Sequence, residues 1–187
     1  RWEGSRKTGA KAIWDRAANL LAPSKLLLHA TSDDERERSE MTMPGRRWCV
    51  VPNGTGIGAA RGERQPGPPR LLFVGRIDPI KALDNLIAAL GKLPEAVALT
   101  IAGQGDAVYV ETLRRQCAAA GVCGQVRFTG FADGAAKAKL YAEADLAITP
   151  SHSENFGMVV AEALARGIPV VSTPTGAIEQ LVGADAG

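Results

Sequence analysis

Residues 145–172 read DLAITPSHSENFGMVVAEALARGIPVVS and hold a strand, a helix and a second strand together with their punctuation. An apolar run, Asp145 to Thr149, ends at Pro150, and a loop carries the chain to Gly157 at the head of an apolar, helix-length segment. Gly167 stands where a helix ending in the left-handed conformation places its C′ residue, and Pro169, which cannot continue a helix, opens the next apolar run, Pro169 to Ser172. Two short apolar strands joined through one helix form the repeating unit of a parallel sheet.

The same unit recurs upstream. Apolar runs at Leu71–Val74, Val97–Ala102 and Gln125–Thr129 are each followed by an amphipathic stretch of helical length. Alternation of this kind predicts an α/β domain with a doubly wound parallel sheet covered by helices on both faces. In such sheets ligands bind beyond the carboxyl ends of the strands, so the residues just after each run carry the functional question.

Further toward the start, Pro52–Arg70 (PNGTGIGAARGERQPGPPR) holds five Gly and four Pro and favours neither helix nor strand. The main boundary is placed here: residues 1–51 as one part, 52–70 as an interdomain linker and 71–187 as the doubly wound domain. Within the first part a helix is expected over Lys11–Leu21 and a strand over Lys25–Thr31. An acidic helix follows, with Ser32 as N-cap and Glu35 as its capping-box partner, and then a strand over Trp48–Val51.

The composition bounds the reading. At 45% hydrophobic residues over 187 positions the chain can bury a core, and 22 basic against 20 acidic residues give a net charge of +2, no basis for a nucleic-acid surface. Cys49, Cys117 and Cys123 fit neither a zinc spacing nor a disulfide framework, so they are read as reduced and mostly buried. No apolar run approaches the roughly 20 residues needed to cross a bilayer, and no signal-peptide core follows Arg1–Lys11. A cytoplasmic protein is expected, with peripheral contact at the inner face of the cell membrane left open. The chain opens in mid-pattern without Met, as a fragment would.

Two glycine motifs mislead. Gly54-Thr55-Gly56-Ile57-Gly58-Ala59 matches G-x-G-x-x-A but runs into a Pro-rich stretch where the dinucleotide fingerprint requires a helix, and Gly103-Gln104-Gly105 has Val108 where the third glycine belongs. Nicotinamide and flavin cofactors are therefore not expected.

Two other stretches carry chemistry. Gly75-Arg76-Ile77-Asp78-Pro79-Ile80-Lys81 sets a guanidinium fork and a flexible ammonium on either side of a strand-to-helix turn, where both can meet one anion or both can be solvated. Gly157, before its helix, would leave backbone N–H groups open to a phosphate. Glu162 lies about 7.5 Å further along that helix, and Glu154 lies on the other side of the phosphate seat. Two carboxylates so placed suit hydroxyl groups flanking a phosphate, the layout of ribose, diphosphate and sugar, although two glutamates eight apart also fit an ordinary helix surface.

From about Leu71 onward the chain resembles the C-terminal nucleotide-binding domain of GT-B glycosyltransferases of the retaining family 4 type (glycosyltransferase group 1). The resemblance rests on Gly75-Arg76 with Lys81, on Ala102-Gly103-Gln104-Gly105, on Val126-Arg127-Phe128-Thr129-Gly130-Phe131, and on the E-x7-E pair Glu154 and Glu162 within SENFGMVVAEALARGIPVVST. It implies a Rossmann-like domain that binds a nucleoside diphosphate sugar, preceded by a remnant of the acceptor domain, with Pro52-Asn53-Gly54 near the crossing. It implies that Arg76 and Lys81 hold the donor diphosphate, in catalysis with Glu154, and that Glu162 holds the ribose. Asn155, Phe156, Gly157 and Met158 would line the sugar and distal phosphate, Gly103 and Gly105 the donor cleft, and Gly130 and Phe131 the base. No metal and no cofactor are expected, in keeping with the lack of a D-x-D pair. The partners implied are a nucleotide sugar and a saccharide or lipid-linked acceptor, the latter met by the other domain.

The family pattern often has Gly after the lysine. Here it is Ala82, taken as compatible with a helix start. His152 falls near the donor or is a solvated loop residue. The readings kept beside sugar transfer are a GT-B sugar phosphorylase, a nucleotide-sugar epimerase, and a fragment that binds a nucleotide sugar without turnover.

Overall fold

The computed structural model describes residues 8–183 apart from 24, 57, 59, 65 and 95, so parts of both chain ends and of the Gly54–Ala59 motif lie outside the described residues. The chain divides into two compact units. One holds the described residues up to Gly54 together with Ser153–Gly157 and those from Thr175; the other holds Thr55–His152 and Met158–Pro174. Ser153–Gly157 and the stretch from Thr175, expected within the C-terminal domain, thus group with the first unit.

In the first unit, α1 (Thr8–Leu21) precedes a β-α-β unit of β1 (Leu27–Ala30), α2 (Asp33–Glu40) and β2 (Arg47–Val50), with β1 and β2 parallel. Ser32 caps α2 as expected, its side chain accepting from the Glu35 N–H at 3.1 Å. Glu35 completes the box one residue early: its Oε2 accepts from the Thr31 N–H at 2.7 Å, because Thr31 presents a hydroxyl as well as an amide. Those two bonds, the hydroxyl's foremost, hold the Glu35 carboxyl below its usual range.

The second unit carries β3 (Arg70–Val74), α3 (Leu83–Leu90), β4 (Ala98–Ala102), α4 (Ala107–Ala119), β5 (Val126–Gly130), α5 (Gly134–Glu143), β6 (Leu146–Thr149), α6 (Met158–Leu164) and β7 (Val170–Ser172). α7 (Ile178–Val182) belongs to the first unit. The strands form one parallel sheet in the order β5-β4-β3-β6-β7, the doubly wound topology. Described residues between β2 and β3 form neither helix nor strand, as the Gly and Pro content predicts.

Alternation along β3 shows why its run is almost wholly apolar. Leu71 and Phe73 face one core, with Leu83, Leu86, Ile87 and Leu90 of α3 and Leu113 of α4; Leu72 and Val74 face the other, with Tyr141, Ala144, Ala163 and Ile168. Each fully buried Leu or Ile stabilises by roughly 1.5–3 kcal/mol, so α3 is held by its packed face more than by its propensity. α6 ends at Gly167 with φ +70°, the Gly167 N–H donating to the Leu164 carbonyl and the Ile168 N–H to the Ala163 carbonyl, both at 3.0 Å. This pair of bonds is the Schellman arrangement that the glycine and the following proline announce.

The cysteines differ from expectation. Only Cys117 is buried, which pushes its thiol pKa up; Cys49 is half-buried, Cys123 is exposed, and all three are free. Among the described residues no helix is long and apolar enough to cross a membrane.

Candidate functional site

In the order β5-β4-β3-β6-β7 the direction of winding reverses between β3 and β6, so the loops after these two strands flank the topological switch point. They are the loops holding Arg76 and Lys81 and, at its start, Pro150–His152. A backbone bond joins them: the His152 N–H donates to the Ile80 carbonyl at 2.8 Å. The backbone of His152 thus fixes the loop that carries both cations, while its side chain is exposed.

Locally the β3 loop is shaped by Asp78, whose carboxylate accepts from the Ile80 N–H at 3.0 Å and starts a 3-10 turn, Pro79–Lys81. The turn closes on Ala82 at φ 49° and ψ 40°, with its N–H donating to the Pro79 carbonyl at 3.1 Å. Ala82 is therefore not the ordinary helix-start residue expected from sequence. It sits in the left-handed region, the conformation that glycine adopts without strain, and it links the turn to α3.

The loops after β3, β4 and β5 are joined edge to edge. Gly75 N–H donates to the Ala102 carbonyl at 2.9 Å, Ile77 N–H to the Gln104 carbonyl at 2.8 Å, and Gly103 N–H to the Gly130 carbonyl at 2.8 Å. The approach is close enough that a Cβ on Gly103 would lie 1.7 Å from the Gly75 oxygen, and one on Gly105 1.9 Å from the Ile77 oxygen. Both glycines are demanded by backbone contact, whatever else they touch.

Over these joined loops lies a cleft of about 550 Å³, within the range of small-molecule sites. Arg76, Gly103, Gly105 and Phe131 line it, and Phe131 offers an aromatic face 65% exposed. Lys81, Gly130, Met158 and Glu162 do not line it. Lys137 of α5, which sequence reasoning missed, does.

Lys137 also connects the cleft to Glu162 of α6. Its Nζ donates to Glu162 Oε1 at 2.7 Å, and Tyr141 Oη, one turn further along α5, donates to Glu162 Oε2 at 2.7 Å. Arg166 lies over the Tyr141 ring at 4.7 Å and donates to the Glu162 carbonyl at 2.7 Å. Burial first, then the bond to Glu162, pushes the Tyr141 phenol far above its usual pKa, so it stays a donor. The spacings Lys137–Tyr141 and Glu162–Arg166, each four apart and hence on one helix face, were the available signal. That the two faces meet is a tertiary fact.

Glu154, Asn155, Phe156 and Gly157 belong to the first unit. There the Asn155 carbonyl accepts from the Ala177 N–H at 3.0 Å, and a Cβ on Gly176 would lie 2.1 Å from the Glu154 oxygen. Gly157 has φ +79°, and a Cβ on it would lie 2.9 Å from Ile178 Cγ1. Conformation and packing therefore require glycine here independently of any anion. Phe156 is buried, Asn155 exposed, and Met158 opens α6 half-buried.

A family model described as glycosyl transferases group 1 matches residues 59–186. A glycogen synthase of Mycobacterium tuberculosis is 35% identical over 187 residues, covering 95% of this chain and 43% of that protein. A D-inositol 3-phosphate glycosyltransferase of Mycolicibacterium smegmatis is 31% identical, covering 92% of this chain and 41% of its own length. The chain thus spans less than half of these curated relatives. Among solved structures, Anabaena HepE in complex with UDP-glucose superposes with a TM-score of 0.78 at 27% identity, covering 92% of this chain and 51% of that one.

Proposed function

The chain belongs to the glycosyl transferases group 1, and from that premise we propose that it is the donor-binding part of an enzyme moving a sugar from a nucleoside diphosphate sugar to an acceptor. The observation that carries the reading is the cleft at the carboxyl ends of β3, β4 and β5, beside the switch point, with Arg76 in its wall. In this reading the diphosphate is met by Arg76 in the cleft wall and by Lys81, outside that wall at the other end of the same loop. A guanidinium fork and an ammonium stabilise the charge that builds on the departing diphosphate as the glycosidic bond breaks, the work a metal does elsewhere. Glu162 takes the ribose hydroxyls and the exposed ring of Phe131 meets the base.

A uridine donor is the first to try, supported by the likeness to a structure that holds UDP-glucose. Retention of configuration, transfer without metal, and a place in polysaccharide or glycolipid assembly at the cytoplasmic face complete the proposal and rest on the family resemblance. Glu154–Gly157, assigned to the transferred sugar on the same ground, are tested separately through Glu154→Ala.

Calorimetric titration of this chain with UDP, GDP and ADP tests the core of the reading. At least one nucleotide binds, and Arg76→Ala and Glu162→Ala each weaken it by about tenfold or more, as loss of a charge-assisted hydrogen bond requires. Affinity untouched by both substitutions sinks the site. Release of nucleoside diphosphate by the longer protein in the presence of a chelator tests the metal-free chemistry.

A further inference from the structure

Glu162 is bonded in a way that neither a surface glutamate nor a lone ribose ligand requires. Its side chain is 16% exposed, mostly but not wholly shielded from solvent. The other contacts are fixed: Tyr141 Oη on Oε2 and Lys137 Nζ on Oε1, both at 2.7 Å. A carboxylate has about four acceptor positions, two on each oxygen. One position on each is taken here, which leaves one on each oxygen for a further donor. Two adjacent acceptors of this kind match two adjacent hydroxyl groups.

Tyr141 is held in place by its surroundings. Tyr141 is wholly buried, and its ring lies between the sheet and the Arg166 guanidinium at 4.7 Å. Arg166 in turn donates to the Glu162 carbonyl, so the same cation holds both the tyrosine and the helical turn that bears the glutamate. Lys137 is half-buried and reaches the carboxylate from the cleft wall it shares with Arg76.

From this we infer that Tyr141 and Lys137 are positioning residues that aim the Glu162 carboxylate at a vicinal diol, and so set the preference of the cleft for a ribonucleotide over one lacking the 2′ and 3′ hydroxyls. The inference rests on the donor-binding reading above. It adds that selectivity for the ribose resides in α5 as much as in α6. Without the Tyr141 hydroxyl the carboxylate gains rotational freedom and must be reordered for each binding event. A purely structural role for Tyr141 would instead weaken all ligands alike.

The experiment titrates wild type and variants with UDP, GDP and ADP and with the 2′,3′-dideoxy form of each. Wild type prefers the ribonucleotide by roughly tenfold, the worth of hydrogen bonds to a charged acceptor. In Tyr141→Phe the preference falls at least about threefold while affinity for the dideoxy form stays within about twofold. Lys137→Met lowers the preference likewise and Lys137→Arg restores it, which keeps the inference testable if Tyr141→Phe fails to fold. Preference retained in both Tyr141→Phe and Lys137→Met, or equal loss of both ligand forms, overturns the inference alone. A wild-type chain that binds none of the ribonucleotides overturns the donor-site reading and the inference with it.

Discussion

Ala82 shows how a single position is decided by opposing terms of similar size. Its φ of 49° costs a non-glycine residue about 1–2 kcal/mol. Glycine would relieve that strain but adds about 0.5–1 kcal/mol of unfolded-state entropy, and it removes a fully buried methyl worth about 0.8 kcal/mol. The terms cancel, which explains how alanine occupies a place where the family pattern often has glycine. Ala82→Gly is therefore expected to change the unfolding free energy by less than about 1 kcal/mol, whereas Ala82→Val, branched in a left-handed and fully buried site, destabilises by about 2–3 kcal/mol. Denaturant titration of both variants checks the pair. A gain well above 1 kcal/mol in the glycine variant would mean that the methyl contributes nothing.

Between elements, the strands that flank the switch point are fastened at their amino ends, away from the candidate site. Asp145, just before β6, accepts from the Arg70 backbone N–H at 2.9 Å and from the Arg70 guanidinium at 3.1 and 3.2 Å, and Arg61 donates to it at 3.2 Å. The Arg70 side-chain bonds, ahead of the backbone bond and the charges, hold the Asp145 carboxyl below its usual range. A depressed carboxyl stabilises the fold above its unfolded value, about pH 4, and that contribution is lost as the pH falls through the folded value. Asp145→Asn should thus cost about 1–2 kcal/mol at pH 7 and flatten the loss of stability between about pH 5 and pH 3. Urea unfolding across that pH range reads it, and parallel curves for the two proteins would show that Asp145 is not the group titrating. At the other end of the same strands backbone bonds join the loops, and Arg76 lines the cleft there.

For the whole molecule, the cleft, the switch point and the Glu162 cluster all fall within the second unit, so nucleotide binding should be read out as stability of that unit. A nucleotide at about 100 times its dissociation constant stabilises the folded unit by about 2.7 kcal/mol, and thermal denaturation should show that rise for wild type and, at the same nucleotide concentration, about half of it or less in Arg76→Ala. No shift with any of UDP, GDP and ADP would count against the cleft as a nucleotide site. The regular spacing of apolar runs around Gly167 and Pro169 determined the parallel α/β class and the places of β3 to β7, because strand and helix periodicity and glycine and proline geometry are local properties of the chain. The same local chemistry marked Arg76 and Glu162 by residue type and motif. Sequence could not show that Gly103 and Gly105 are pressed against the backbone after β3, that Ala82 is left-handed, or that α5 supplies Lys137 and Tyr141 to Glu162. Those facts depend on which strands neighbour one another and which helix faces meet. Only burial of the two apolar faces of the sheet decides that, through contacts between residues far apart in the chain.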